Sequence, residues 1–414
     1  MRNSLIILSS AILALTACKN PSEGNDYTTR DNLNTLVRHT IANSLAKLEN
    51  SVTEIGDTLL YPTYGTEDLK WKTNSSKDWV SGFYPGCLWY AYALSGDKRF
   101  AQWARSWTSG IEAEKHNADT HDLGFRFMCT YGLGMKLDPA LSEPYKPIVL
   151  TAAQTMANRF HPEFGALSSN WDRQPIENTT PCVIDIMMNL EILFWAAQNG
   201  GDTNLAELAK THARTTWKDF VRNDGGSYHV VRYEKDTGRV IDKGQLQGDT
   251  KESTWSRGHA WLVYGLVCTY RFTHDPTYLD WAKRAADYFI RNLNADGMAA
   301  WDFQSADTQT DVSASAIVTA ALYELTDHLP SGHERDHYGR EADRMLATLC
   351  QAPYFTVGKD TNCLLEHSVQ YYHLGHNVDR PCSFADYYFM EALYRYARHY
   401  LRQDAQMALL CDQP

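Results

Sequence analysis

The amino-acid sequence predicts an all-α fold, an (α/α)6 barrel of six helical hairpins. Three observations predict it. Amphipathic helices alternate with helices that are apolar on most sides, a degenerate motif marks the start of successive amphipathic helices, and the longest connections all precede the apolar partner. A helix with an apolar stripe belongs on the outside of a ring, and one with no polar face belongs on the inside.

In chain order, residues 31–50 form the first outer helix and residues 83–94 (FYPGCLWYAYAL) the first inner one, with Pro85 suited to an opening turn. The pairs then run 98–111 with 123–133, 144–160 with 182–198, 204–222 with 254–272, 276–293 with 312–327, and 334–350 with 384–400. Asp97, Asp202 and Asp275 each open an outer helix and are followed at fixed spacing by an apolar residue (Phe100, Leu205, Tyr278) and an alanine (Ala104, Ala209, Ala282). Asp caps the helix; the other two share its buried face. Local sequence does not prove ring closure, and an open superhelix of helix pairs is the alternative architecture.

The connections 51–82, 161–181, 223–253, 294–311 and 351–383 lead into inner helices, so they gather at one rim. Loops collected at one end of a rigid barrel are where a pocket forms. Within one of them, residues 228–233 followed by Asp236-Thr-Gly238 suggest a short hairpin.

Arg2 and the apolar run 5–17 lead to Leu15-Thr16-Ala17-Cys18, a bacterial lipoprotein-type signal too short to span a bilayer. The expectation is a signal peptide over residues 1–17, lipid on Cys18, a tether over 18–27 and a single domain over 28–414, placed in the periplasm or on the cell surface of a bacterium. An ordinary secretory signal is the simpler alternative.

The chain of 414 residues carries a formal net charge of −11, and removal of residues 1–17 takes away Arg2 alone, giving −12. Such a body is not expected to bind nucleic acid, and an acidic ligand must be met by a few placed cations. The cysteines show no metal-ligand spacing, and no metal or organic cofactor is indicated. Twelve Trp and 24 Tyr supply rings that can stack on sugars, although most such rings fill cores.

Polar residues recur where inner helices begin: His121 and Asp122, Asp185, Arg257 and His259, and Asp311. Asp185 stands out because the text around it, residues 181–198, is apolar on every side. A carboxylate in such surroundings either finds a partner or raises its pKa and keeps its proton, which describes a general acid. Plainer roles exist for each residue: a dipole partner for Asp185, N-caps for Asp122 and Asp311, core histidines for His121 and His259, and an ion pair for Arg257.

Six stretches in order, residues 79–86 (WVSGFYPG), 121–125 (HDLGF), 183–191 (VIDIMMNLE), 253–261 (STWSRGHAW), 311–316 (DVSASA) and 386–393 (DYYFMEAL), resemble glycoside hydrolase family 88, the unsaturated glucuronyl hydrolases. The resemblance implies the closed barrel and a substrate made by polysaccharide lyases, a glycosaminoglycan-derived oligosaccharide ending in a 4,5-unsaturated glucuronic acid. It implies Asp185 and Asp122 as catalytic carboxylates, and Trp79, His121, Trp171, His229, Gln247, Arg257 and Trp261 as sugar contacts. On this resemblance Asp185 is expected to protonate the vinyl ether at C4, and Asp122 to hold hydroxyls while its charge helps Asp185 keep its proton. The same resemblance implies that Arg257 meets polar groups of the substrate and that Trp171 and Trp261 stack on sugar rings. Residues 364–379, more basic in relatives, carry His367, His373 and His376 here, which leaves sulfate recognition open. The alternatives are an unsaturated rhamnogalacturonyl hydrolase of the related family 105, or a catalytically inactive glycan-binding lipoprotein.

Overall fold

The computed structural model describes residues 29–56 and 59–401. The signal peptide, the tether and Cys18 therefore lie outside the described residues.

The outer helices are α1 (Arg30–Ile55), α3 (Lys98–Ser109), α6 (Ser142–Ala157), α9 (Asn204–Phe220), α11 (Pro276–Arg291) and α13 (His333–Leu349). The inner ones are α2 (Phe83–Ser95), α4 (Leu123–Phe127) continued by α5 (Leu133–Leu137), α7 (Ile186–Asn189) continued by α8 (Glu191–Gln198), α10 (Ser256–Thr273), α12 (Val312–His328) and α14 (Ser383–Tyr400). Inner helices pack in sequence around the axis, and α14 returns onto α2. That last contact closes the ring, so the fold is an (α/α)6 barrel and the open superhelix is excluded.

The repeat has the physical meaning expected of it. Asp97, Asp202 and Asp275 each accept a hydrogen bond at 2.9 Å from the backbone N–H two residues on. Phe100, Leu205, Tyr278 and the three alanines are buried. Complete burial of each large anchor contributes about 1.5–3 kcal/mol.

Two inner elements differ from the expected continuous helices. Between α4 and α5, residues Met128–Gly132 make a π turn, where the Thr130 hydroxyl donates back to the Arg126 carbonyl. Residues 181–183 are not helical: they end strand β5 of a three-stranded antiparallel sheet. A run apolar on every side has no period, so it fits a buried strand as well as a helix.

Among the described residues nine short strands decorate the barrel: β1 (Tyr61–Gly65) with β2 (Trp71–Asn74), β3 (Phe160–His161) with β4 (Ala166–Leu167), β5 (Thr179–Val183) with β6 (Val230–Glu234) and β7 (Val240–Gly244), and β8 (Ser368–Tyr371) with β9 (His376–Arg380). The hairpin expected near residue 230 is β6–β7, and Gly238 in its turn has φ +68°. The outer helices run toward the rim that carries the long loops. Arg30, at the start of α1, lies at the opposite rim, its guanidinium 3.6 Å from the ring centroid of Tyr400 at the end of α14.

Candidate active site

A cavity of about 360 Å³ opens at the loop-bearing rim. Four connections and one hairpin supply its walls. Trp79 comes from the turn before α2, His121 and Asp122 from the entry to α4, and Trp171 from the loop between β4 and β5. Asp185, His229, Gln247, Trp255 and Arg257 follow from β5–α7, the start of β6, and the approach to α10. Gln370, Tyr371 and His376, on or beside the β8–β9 turn, form the roof.

Strand pairing builds the centre. Val183 on β5 pairs with Val230 on β6, and the Ile184 N–H donates to the His229 carbonyl at 3.0 Å. One residue further, the chain turns into α7, leaving Asp185 beside the His229 ring. His229 Nε2 is 3.3 Å from Asp185 Oδ2, at an ion-pair distance but without hydrogen-bond alignment, so this buried oxygen has no hydrogen-bond partner among the described residues. The Gln247 N–H donates to His229 Nδ1 at 3.1 Å. With Nδ1 accepting, the neutral ring carries its proton on Nε2, facing Asp185.

The aspartates at the inner-helix starts now separate by role. Asp311 caps α12, accepting from the Ser313 N–H at 3.1 Å. Asp185 and Asp122 make no side-chain cap bond, which removes the capping role from both. Asp122 Oδ2 accepts from the Thr120 hydroxyl at 2.8 Å, and Oδ1 lies 3.4 Å from His121 Nε2. His121 Nδ1 in turn bonds Ser169 Oγ at 3.1 Å. A close backbone crossing brings α4 against α7: a Cβ on Gly124 would lie 2.5 Å from Asn189 Cα, and Asn189 Oδ1 accepts from the Phe125 N–H at 2.9 Å.

The ionisation of Asp185 corrects one expectation. Burial pushes its carboxyl upward, yet His229, and less strongly His121, outweigh burial and hold it below the usual carboxylate range. Histidines, and not Asp122, are the neighbours that set its charge. These neighbours bias Asp185 toward its ionised form in the ligand-free protein, against the expectation of a carboxyl that retains its proton.

Arg257 and Trp261 also differ from expectation. Arg257 lines the cavity, but its Nη1 donates to Asp311 Oδ2 at 2.7 Å and to the Val369 carbonyl, while Nη2 donates to Gln247 Oε1 at 3.1 Å and to the Gln370 carbonyl at 2.6 Å. Both Nη atoms are engaged within the protein, tying α10 to α12 and to the hairpin roof, so they do not stand free for substrate groups. Trp261 lies one helical turn deeper, completely buried between Phe125 and Tyr388, with ring centroids at 4.9 and 5.3 Å. Its ring does not reach the cavity. Trp255 occupies the wall instead, 4.5 Å from the His229 ring and beneath the Arg257 guanidinium at 4.7 Å. Trp171 stacks over His229 at 5.8 Å, and Trp79 sits against Phe384 and Phe125 at 5.4 and 5.9 Å. His259 is a core residue, bonded to Ser227 Oγ at 3.0 Å and to the Ala285 carbonyl at 2.9 Å.

Sequence reasoning missed Trp255, Arg173, Gln370 and Tyr371. Trp255 lay within a recognised motif; Arg173 lies in a loop, and Gln370 and Tyr371 end a short strand with no periodic signal.

Comparison with known proteins identifies the family. The chain is 38% identical over 328 residues to an unsaturated glucuronyl hydrolase of Formosa agariphila, covering 77% of this chain and 80% of the relative. It is 30% identical over 350 residues to an unsaturated chondroitin disaccharide hydrolase of Streptococcus pyogenes serotype M1, covering 81% and 85%. A crystal structure of an unsaturated glucuronyl hydrolase specific for heparin superposes with a TM-score of 0.83 at 33% identity, over 88% of this chain and 98% of that one. The enzyme from Bacillus sp. GL1 superposes with a TM-score of 0.82 at 28% identity, over 88% and 97%. Residues 59–403 match the sequence profile of Glycosyl Hydrolase Family 88, and the chain is a glycoside hydrolase that belongs to this family.

Proposed function

We propose that the protein removes a 4,5-unsaturated glucuronic acid from the non-reducing end of lyase-generated oligosaccharides, by hydration of the C4=C5 bond. The carrying observation is the Asp185–His229 pair, walled by Trp171 and Trp255 in a cavity sized for a sugar ring. Relatives named for unsaturated glucuronyl and chondroitin substrates support glycosaminoglycan fragments as the source.

The vinyl ether needs a proton on C4 and a water oxygen on C5. Asp185 in its protonated form delivers the first, leaving a cation at C5 shared with the ring oxygen. Its carboxylate then takes a proton from water as the oxygen bonds to C5, which restores the acid. The resulting hemiketal opens: the bond from C5 to the ring oxygen breaks, a ketone forms at C5, and the hemiacetal at C1 releases the next sugar. No nucleophile attacks C1, so the spacing rule for paired carboxylates in retaining and inverting enzymes does not apply. The substrate's own carboxylate adds negative charge and displaces water, and both effects raise the protonated fraction of Asp185. Asp122, held by Thr120 and His121, is placed to accept from sugar hydroxyls.

The test is a panel of unsaturated disaccharides from chondroitin, hyaluronan, heparin, alginate and pectin, followed by loss of the ultraviolet absorbance of the conjugated double bond. Decay on the glycosaminoglycan members is expected, abolished by Asp185→Asn. Decay on none sinks the reading, and decay on pectin fragments alone favours a rhamnogalacturonyl activity.

We further infer that Cys18 carries lipid and holds the enzyme on a bacterial membrane, in the periplasm or at the cell surface. The support is the apolar run 5–17 ending in Leu15-Thr16-Ala17-Cys18.

A further inference from the structure

The anionic substrate of the proposed reaction meets a chain of net charge −11, and the cavity's buried arginine, Arg257, has both Nη atoms committed within the protein. One other arginine lines the same cavity. Arg173 is exposed at its mouth, and among the described residues no carboxylate lies within ion-pair range of it.

Its position is built rather than incidental. The preceding residue, Asp172, is gripped by Arg232 on β6 through two hydrogen bonds of 2.8 Å, and accepts from the Gln174 N–H at 2.9 Å. Arg232 also donates to Asp242 on β7 at 2.7 Å. The loop is therefore pinned to the sheet on the sequence neighbour of Arg173. The Arg173 guanidinium lies 4.9 Å from the Tyr371 ring centroid and 5.9 Å from that of Trp171. Tyr371 is fixed by its hydroxyl, which donates to the Leu246 carbonyl at 2.6 Å. Stacking uses the faces of a guanidinium and leaves its donors, which lie in the plane, available to a planar or tetrahedral anion.

Resting on the proposed hydrolase reading, we propose that Arg173 is a specificity-determining residue, which binds an anionic group, a sulfate ester or a carboxylate, on the sugar that follows the unsaturated residue. The reacting sugar lies with C4 at Asp185 and against Trp171; Arg173, two residues beyond Trp171 and exposed, faces the sugar nearer the mouth.

Three disaccharides with the same unsaturated residue decide it: one with an uncharged second sugar, one with a sulfated hexosamine, and one with a second uronic acid. The wild type should prefer a charged member. Arg173→Gln should raise KM about tenfold or more for that member, the size of one charge-assisted contact, and change the uncharged one less than twofold. kcat should hold in every case, and Arg173→Lys should recover part of the loss. The arm that moves tells sulfate from carboxylate. Equal changes on all three, no change on any, or wild-type preference for the uncharged member overturns the proposal while leaving the hydrolase intact. Turnover of none by the wild type overturns the hydrolase reading and this one together.

Discussion

His229 presents its Nε2 to Asp185 Oδ2 at 3.3 Å while its Nδ1 is held by the Gln247 N–H, so a backbone donor from one loop fixes the proton that faces the acid. This relation makes a prediction about pH. His229 keeps Asp185 below the usual carboxylate range, and the reaction uses protonated Asp185. Activity in kcat/KM should therefore rise as pH falls toward that carboxyl's range. Replacing His229 with Gln removes a group that lowers the pKa, so the limb should move to higher pH. A pH profile of the variant with an unmoved limb would falsify the control of Asp185 by His229.

Arg257 and Asp311 form a buried pair, with side-chain exposures of 2% and 0%. Removing one charge leaves the other uncompensated, at a cost of about 3–5 kcal/mol. Asp311→Ala should lower the free energy of unfolding by an amount of that order and also weaken turnover, since Arg257 anchors the Gln247 side chain and the hairpin roof. Urea unfolding followed by helical circular dichroism measures the first, and the ultraviolet assay the second.

Gly124→Ala tests the crossing of α4 and α7. The added methyl meets Asn189 backbone at 2.5 Å, which cannot give way as a flexible side chain would. Overpacking of this kind costs about 1–3 kcal/mol. Because the two helices carry Asp122 and Asp185, kcat should fall by more than the loss of folded protein explains. A variant destabilised but fully active per folded molecule would show that the crossing sets stability alone.

His212 predicts how stability responds to acid. It is completely buried in α9, its Nδ1 accepts from the Leu167 N–H at 3.0 Å, and burial lowers its pKa to about 3. In the unfolded chain it protonates near 6.5, so its contribution is complete above that pH and is lost progressively as pH falls from there toward about 3. His212→Gln keeps an acceptor for Leu167 and cannot protonate. Its stability, measured by denaturant titration at several pH values, should fall less steeply over that window than the wild type's.

The periodic parts of this fold were legible because burial imposes a period. Asp97, Phe100 and Ala104 repeat at Asp202 and Asp275, and each set caps and packs alike. What lacks a period was misread: 181–183 form a strand because pairing with β6 decides, and pairing is not local. At the site, Asp122, Asp185 and His121 were found through motifs and Trp171 and His229 through the family resemblance, and all five line one cavity. Trp261 was misplaced for a geometric reason. It shares a helix face with Arg257, but four residues advance a helix by about 6 Å, from the cavity wall into the core. Arg173 and Tyr371 could not be found from the chain, since they meet only where a loop and a hairpin far apart in sequence close over one mouth.

The path of α1 has a consequence for access. Its 26 residues span about 39 Å, carrying the chain from the rim beside Tyr400 to the loops of the catalytic mouth. A lipid on Cys18 would reach the body through residues 19–29, at most about 40 Å of extended chain, and would join it on the side away from the cavity. The linkage would then leave the mouth uncovered for polysaccharide arriving from the medium. An anchored molecule would lose its freedom to diffuse away without covering the opening through which a chain end must enter.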